Sequence, residues 1–153
     1  MTRRKKRQDS VPAHVVLDNE ALWQVAGRLS RSLRAELRLA ALTTGQVVLP
    51  ASVMVECIHD RAAPAAARAN QILRDAGTDA LTEARAAEAV ALRVRSGETG
   101  SVVDAHVAAA ALAVVRRFGG TATVATSDPA DITRLLDCAG DGAARGATGV
   151  LAL

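Results

Sequence analysis

The sequence predicts a three-layer α/β fold, a mainly parallel sheet of four or five strands flanked by helices. Three observations carry that expectation. Short continuous apolar runs, such as His14-Val15-Val16-Leu17 and Thr121-Ala122-Thr123-Val124-Ala125, read as strands buried on both faces, the pattern of a parallel sheet. Between such runs lie longer stretches whose apolar residues recur at helical spacing. Strand and helix therefore alternate, as crossover connections require.

At 153 residues and 50% hydrophobic content, with no internal repeat, the chain suits one domain with a proper core. Trp23 and Phe118 are its only aromatic residues, so the core is built from Ala, Val, Leu and Ile, and no stacked rings are on hand for unpaired bases. Cys57 and Cys138 lack metal-ligand spacing, and the chain shows no secretory signal and no membrane-length apolar run, which points to a reducing cytoplasm and no membrane. The net charge of +3 is unevenly placed, because Arg3-Arg4-Lys5-Lys6-Arg7 holds five of the 19 Lys and Arg and leaves the remainder with fewer bases than its 16 acids. Residues 1–11 read as a basic flexible tail and 12–153 as the domain. The tail fits attraction to phosphates or a merely solubilising start.

Asp18 closes the first strand at the carboxyl edge, where open parallel sheets bind ligands; it or Asn19 equally suits a helix cap. From Glu20 to about Ala41 the spacing predicts one helix, with Leu22, Val25, Leu29, Leu33, Leu37 and Ala40 inward and Arg28, Arg31, Arg34 and Arg38 in a stripe on the other side. That stripe suits a phosphate backbone, an acidic partner segment or plain solvent, and is the candidate RNA contact. Thr43-Thr44-Gly45 breaks the helix, Gln46-Val47-Val48-Leu49 is the second strand, and Pro50 ends it. The helix that follows turns Val53 and Cys57 inward and carries Glu56 early enough to reach back to the strand edge. Glu56 and His59 have the Glu-x-x-His spacing of di-iron bundles, but no second pair accompanies them, so His59 reads as a surface or supporting residue.

Pro64 separates that helix from a small Ala-rich one, Ala65 to Asp75. Thr78 to Leu81 is a short third strand and Thr82 to about Val94 a helix, with Asp79, Glu83 and Glu88 as surface charge. Gly97 and Gly100 flank Glu98, a candidate outer acid. Ser101 caps the central helix, whose apolar face is Val103, Val107, Ala110, Ala111 and Val114. Asp104 lies in its first turn, where an ionised carboxylate beside an apolar run needs helix amides, water or a cation. Phe118-Gly119-Gly120 stops this helix and Thr121 to Ala125 is the fourth strand. Asp128 then caps a helix with Pro129 first and Asp131 in its first turn, anchored by Leu135 and Leu136. Gly140 to Gly149 reads as a flexible connection and Val150 to Leu153 as a final strand.

Asp18, Glu56, Asp104 and Asp128 come from separate segments, yet each falls at a strand end or an early helical turn, so the fold brings them to one sheet edge. Without a cation such a group repels itself; with Mg²⁺ or Mn²⁺, which favour oxygen ligands, it becomes a stable site. One or two ions there suit activation of a water for attack on a phosphodiester. The runs His14-Val15-Val16-Leu17-Asp18, Val48-Leu49-Pro50-Ala51-Ser52-Val53-Met54-Val55-Glu56, Val102-Val103-Asp104-Ala105-His106-Val107-Ala108 and Thr126-Ser127-Asp128-Pro129-Ala130-Asp131-Ile132, in that order, resemble the successive acidic motifs of PIN-domain ribonucleases. The resemblance spans essentially everything after the tail.

It implies a PIN-like fold and a Mg²⁺- or Mn²⁺-dependent endoribonuclease of the kind found as VapC-type toxins, often homodimeric and held inactive by a cognate antitoxin protein. It implies Asp18, Glu56, Asp104 and Asp128 as the catalytic and metal-binding acids, with Thr126, Ser127 and Asp131 as weaker outer-shell candidates; Asn19, a further outer-shell candidate from its position after Asp18, suits orienting substrate or merely starting the helix. Many relatives carry a hydroxyl residue directly after the first acid, whereas this chain has Asn19. A phosphorylation receiver also gathers acids at a sheet edge, but it pairs adjacent acids after its first strand and places a Lys after its last; neither is present. A non-catalytic nucleic-acid or protein-binding module of the same fold is the remaining alternative.

Overall fold

A computed structural model describes residues 10–57, 68, 71–72 and 74–153. The basic run Arg3 to Arg7, His59, Pro64 and most of the helix expected over 65–75 lie outside the described residues. The strands are β1 (Ala13–Leu17), β2 (Val47–Pro50), β3 (Gly77–Asp79), β4 (Thr121–Thr126) and β5 (Thr148–Ala152). The helices are α1 (Asn19–Ala26), α2 (Arg31–Leu42), α3 (Ala51–Cys57), α4 (Glu83–Arg95), α5 (Val102–Phe118), α6 (Pro129–Asp137) and α7 (Gly142–Gly146). All strand pairs are parallel and the order is β3-β2-β1-β4-β5, the three-layer α/β architecture expected from the sequence.

Every residue of β1 is buried, so helices cover both faces of the sheet at its centre. α5 is buried without a break from Ala105 to Leu112, and its run of alanines lets the backbone come close to the sheet and to α4 and α6. Ser101 caps α5 as expected, and Thr82 and Asp128 cap α4 and α6. Among the described residues no helix is long and apolar enough to cross a membrane.

Several expectations need correction. The single helix expected from Glu20 to Ala41 is two, because α1 ends at Gly27 and Ser30 opens α2 by accepting a hydrogen bond from Leu33 N–H at 3.2 Å. Arg28 consequently lies between helices, and the stripe reduces to Arg31, Arg34 and Arg38, all exposed on α2. The stretch expected as a flexible connection holds α7, capped by Asp141, and β5 starts at Thr148. Asp79 and Glu88 are partly buried and ion-paired, where surface charge was expected.

The turn into β2 depends on a close approach of two backbones. A Cβ built on Gly45 would stand 1.6 Å from the Ala13 carbonyl oxygen, at the start of β1. Gly45→Ala must push β1 and the α2–β2 turn apart, and we expect a loss of about 2–4 kcal/mol in urea denaturation. Gly142→Ala, whose added carbon meets nothing within 4 Å, should stay within about 0.5–1 kcal/mol of the parent. Equal midpoints for the two variants would contradict the close approach.

Candidate functional site

With every strand parallel, all carboxyl ends lie along one edge of the sheet. The chain enters at β1, moves outward to β2 and β3, then returns to β4 on the opposite side of β1, so the order reverses between β1 and β4. A crevice opens at such a reversal, and ligands of open α/β sheets bind there. Register places the ends of β1 and β4 level, with Leu17 opposite Ala125 and the Asp18 N–H bonded to the Ala125 carbonyl at 3.2 Å. Asp18 is therefore the first residue beyond the sheet on one strand, beside Thr126 and Ser127 on the other.

Asp18 is only 7% exposed. Its Oδ1 accepts from the Ala21 N–H at 2.9 Å, which caps α1, and its Oδ2 accepts from the Ser127 N–H at 3.2 Å. The Thr126 hydroxyl bonds it as well, and that same oxygen accepts from the Asp128 N–H at 2.9 Å. Burial pushes the Asp18 carboxyl above its ordinary value of 3.8; the three hydrogen bonds oppose the rise and the nearby charge of Asp104 adds to it.

Asp104 belongs to a reciprocal cap at the start of α5. Its N–H donates to Ser101 Oγ at 3.1 Å, and its Oδ2 accepts from the Ser101 N–H at 2.7 Å. The approach needs a bare residue at Gly100, which has φ +69° and where a Cβ would meet Asp104 Cβ and Oδ2 at 3.2 Å. Glu56, on α3, accepts from Asn19 Nδ2 at 3.5 Å, while Asn19 Oδ1 accepts from the Cys57 thiol at 2.8 Å. That thiol is pushed up to about 12, first by burial and then by the charges of Glu56 and Asp18, so it serves here as a hydrogen-bond donor and not as a nucleophile. Asp128 is exposed and caps α6 through Oδ1, which accepts from the Asp131 N–H at 3.4 Å. Glu98 is exposed in the loop before α5.

The structure thus brings Asp18 together with Thr126 and Ser127, with Asp104 near enough for its charge to act on it, and Asn19 together with Glu56 and Cys57. It does not close the four acids into a cage, since among the described residues no group of three or more His, Cys, Asp or Glu side chains is placed to hold a metal ion. The donors still suit a hard ion. They are carboxylate oxygens, and Mg²⁺ keeps several waters and takes only one or two carboxylates beside substrate phosphates, so acids of this type match its chemistry. Sequence reasoning gave Ser52 and His106 no role and took Asp79 for surface charge, whereas the three meet near the ends of β2 and β3. The available signal was a histidine on the apolar side of a buried helix.

Compared with protein-family models and with curated proteins, the sequence matches none.

The folded chain holds the Asp18 proton more tightly than the unfolded chain does. This contribution to stability is fully present below the ordinary 3.8 and is lost as pH rises through the higher folded value. Carbon NMR of the metal-free protein should read an Asp18 midpoint above 3.8, and Thr126→Val, which removes one opposing hydrogen bond, should move it higher and cost about 1–3 kcal/mol. A midpoint at or below 3.8 in the parent would refute the desolvated site.

Proposed function

We propose that the chain is a divalent-metal-dependent endoribonuclease of the PIN type, as the four acidic runs imply. One observation carries the reading: Asp18 is buried at the carboxyl edge where strand order reverses and feels the charge of Asp104, so that a cation there would relieve first its burial and then the repulsion. Asp18 and Asp104 would hold the ion, and the resemblance implies Glu56 and Asp128 as the further acids of the site. Bound there, Mg²⁺ or Mn²⁺ supplies charge neutralisation for a phosphodiester and acidifies a water for in-line attack. Thr126 and the Ser127 N–H hold Asp18 in place, and Asn19 steadies Glu56. Arg31, Arg34 and Arg38 offer exposed guanidinium groups to the RNA backbone, with Arg28 in the adjoining loop.

The same resemblance implies a VapC-type toxin, a homodimer restrained by an antitoxin protein. Growth arrest on expression, relieved by the product of an adjacent short gene, tests that part. A second reading, a nucleic-acid or protein-binding module without turnover, draws on a specific feature: Asp18, Asp104 and Asp128 each cap or brace a helix, a task complete without chemistry.

Purified protein should cleave RNA with Mg²⁺ or Mn²⁺ and stop with chelator. Asp104→Asn should lower the rate by roughly 10²–10³-fold, the scale on which loss of a single transition-state charge stabiliser acts, while circular dichroism stays that of the parent. Cleavage by that variant at the parental rate would refute the assignment. In the same preparation, Mn²⁺ at about 100 times its dissociation constant should stabilise the parent by about 2.7 kcal/mol and Asp104→Asn by much less.

A further inference from the structure

α5 carries a second polar side chain, two residues past Asp104 and turned into the protein. His106 is 0% exposed, with Nδ1 at 2.8 Å from Ser52 Oγ and Nε2 at 3.0 Å from Asp79 Oδ2. The three partners come from α5, from the first turn of α3 and from the end of β3. With the ring proton on Nε2 every group is satisfied, the Ser52 hydroxyl donating to Nδ1 and Nε2–H donating to the carboxylate. Asp79 is clamped in turn by Arg85, through Nε at 2.8 Å and Nη2 at 3.2 Å. Burial alone would raise the Asp79 carboxyl, yet the bonds from His106 and Arg85 hold it below its ordinary range. The line continues through Arg85 to Glu88, from Glu88 to Arg116, and from Arg116 Nε to Asp141 Oδ2 at 2.9 Å.

A serine, a histidine and an aspartate in a row invite a hydrolytic reading, which the geometry opposes. The ring is sealed from solvent, and the cleft of about 220 Å³ that reaches Asp79 and Arg85 is lined by neither Ser52 nor His106. No substrate reaches the imidazole, so the contacts act on the protein itself.

Their effect follows from helix geometry. Residues advance about 100° each around a helix, so His106 and Asp104 point about 200° apart. Turning α5 about its axis would pull His106 off both partners, so the two hydrogen bonds lock the rotation and with it the direction Asp104 faces. Ser52 also lies one turn before Glu56 on α3, so its bond to His106 fixes the helix that carries Glu56 against the helix that carries Asp104. We propose that His106 is a positioning residue of the acidic site, holding α5 against α3 and so fixing where Asp104 and Glu56 stand relative to one another. This rests on the nuclease reading above.

The test compares full-length parent, His106→Leu, His106→Gln and Ser52→Ala by calorimetric Mn²⁺ binding, by RNA kcat and KM, and by thermal denaturation. His106→Leu should weaken Mn²⁺ binding and lower kcat by roughly 10–100-fold, the usual cost of losing a group that orients metal ligands, with KM little changed. His106→Gln, which can still bond Asp79, should recover part of both, and Ser52→Ala should lose less than His106→Leu in the same direction. Should His106→Leu fail to fold, Ser52→Ala decides, because removing one hydroxyl leaves the core intact. Parental Mn²⁺ affinity and kcat in the folded variants, whatever their melting temperature, would overturn the proposal and leave the nuclease reading standing. A parent that neither binds Mn²⁺ nor cuts RNA would overturn both.

Discussion

Burial of the Asp18 carboxylate at the end of β1 is the constraint around which the neighbouring segments are arranged. Its cost is opposed by the Ala21 N–H, the Ser127 N–H and the Thr126 hydroxyl, and each donor also belongs to another structure. Ala21 lies in the first turn of α1. Ser127 and Thr126 shape the turn from β4 into α6, where the Thr126 oxygen also receives the Asp128 N–H. One acid therefore ties the start of α1 to the end of β4, and this holds only because β1 and β4 are parallel, adjacent and level. An antiparallel pairing would send Ser127 to the opposite edge.

The acids of this edge show how a helix cap and a ligand site arise from the same geometry. Strands that end at one edge feed helices that begin there, and the unpaired N–H groups of a helix start attract carboxylates. Asp18 and Asp128 meet that need as caps and Asp104 as the return half of a capping box. Burial at this edge is the main reason the Asp18 carboxyl and the Cys57 thiol are raised, and the charges of neighbouring acids add to it. Capping by itself explains why acids stand at these positions.

The core raises a different problem. α5 is walled by alanines, whose short side chains allow close approach but give little purchase against rotation of the helix. His106 supplies directional contacts where apolar packing is smooth, and the pairs running from Asp79 through Arg85, Glu88 and Arg116 to Asp141 carry that order outward to α4 and α7. A buried polar group whose partners are all present costs little and admits few alternative arrangements.

The amino-acid pattern by itself determined the alternation of strands and helices, the caps at Ser101 and Asp128, and the placing of Asp18 beyond the first strand. Each depends on residues a few positions apart, so local spacing suffices to read it. The break at Gly27 was decided elsewhere: a glycine costs a helix only about 1 kcal/mol, and whether the chain turns there depends on Ser30 opening α2 and on how α2 seats against β1. Only the tertiary structure decided that β4 returns beside β1, which makes Asp18 a neighbour of Ser127, 109 residues away. Only it joined His106 to Ser52 and to Asp79, 54 and 27 residues distant. Contacts at such separations follow from strand order and helix rotation, and these are settled by how the whole core packs, a sum over many side chains that no short run of residues contains.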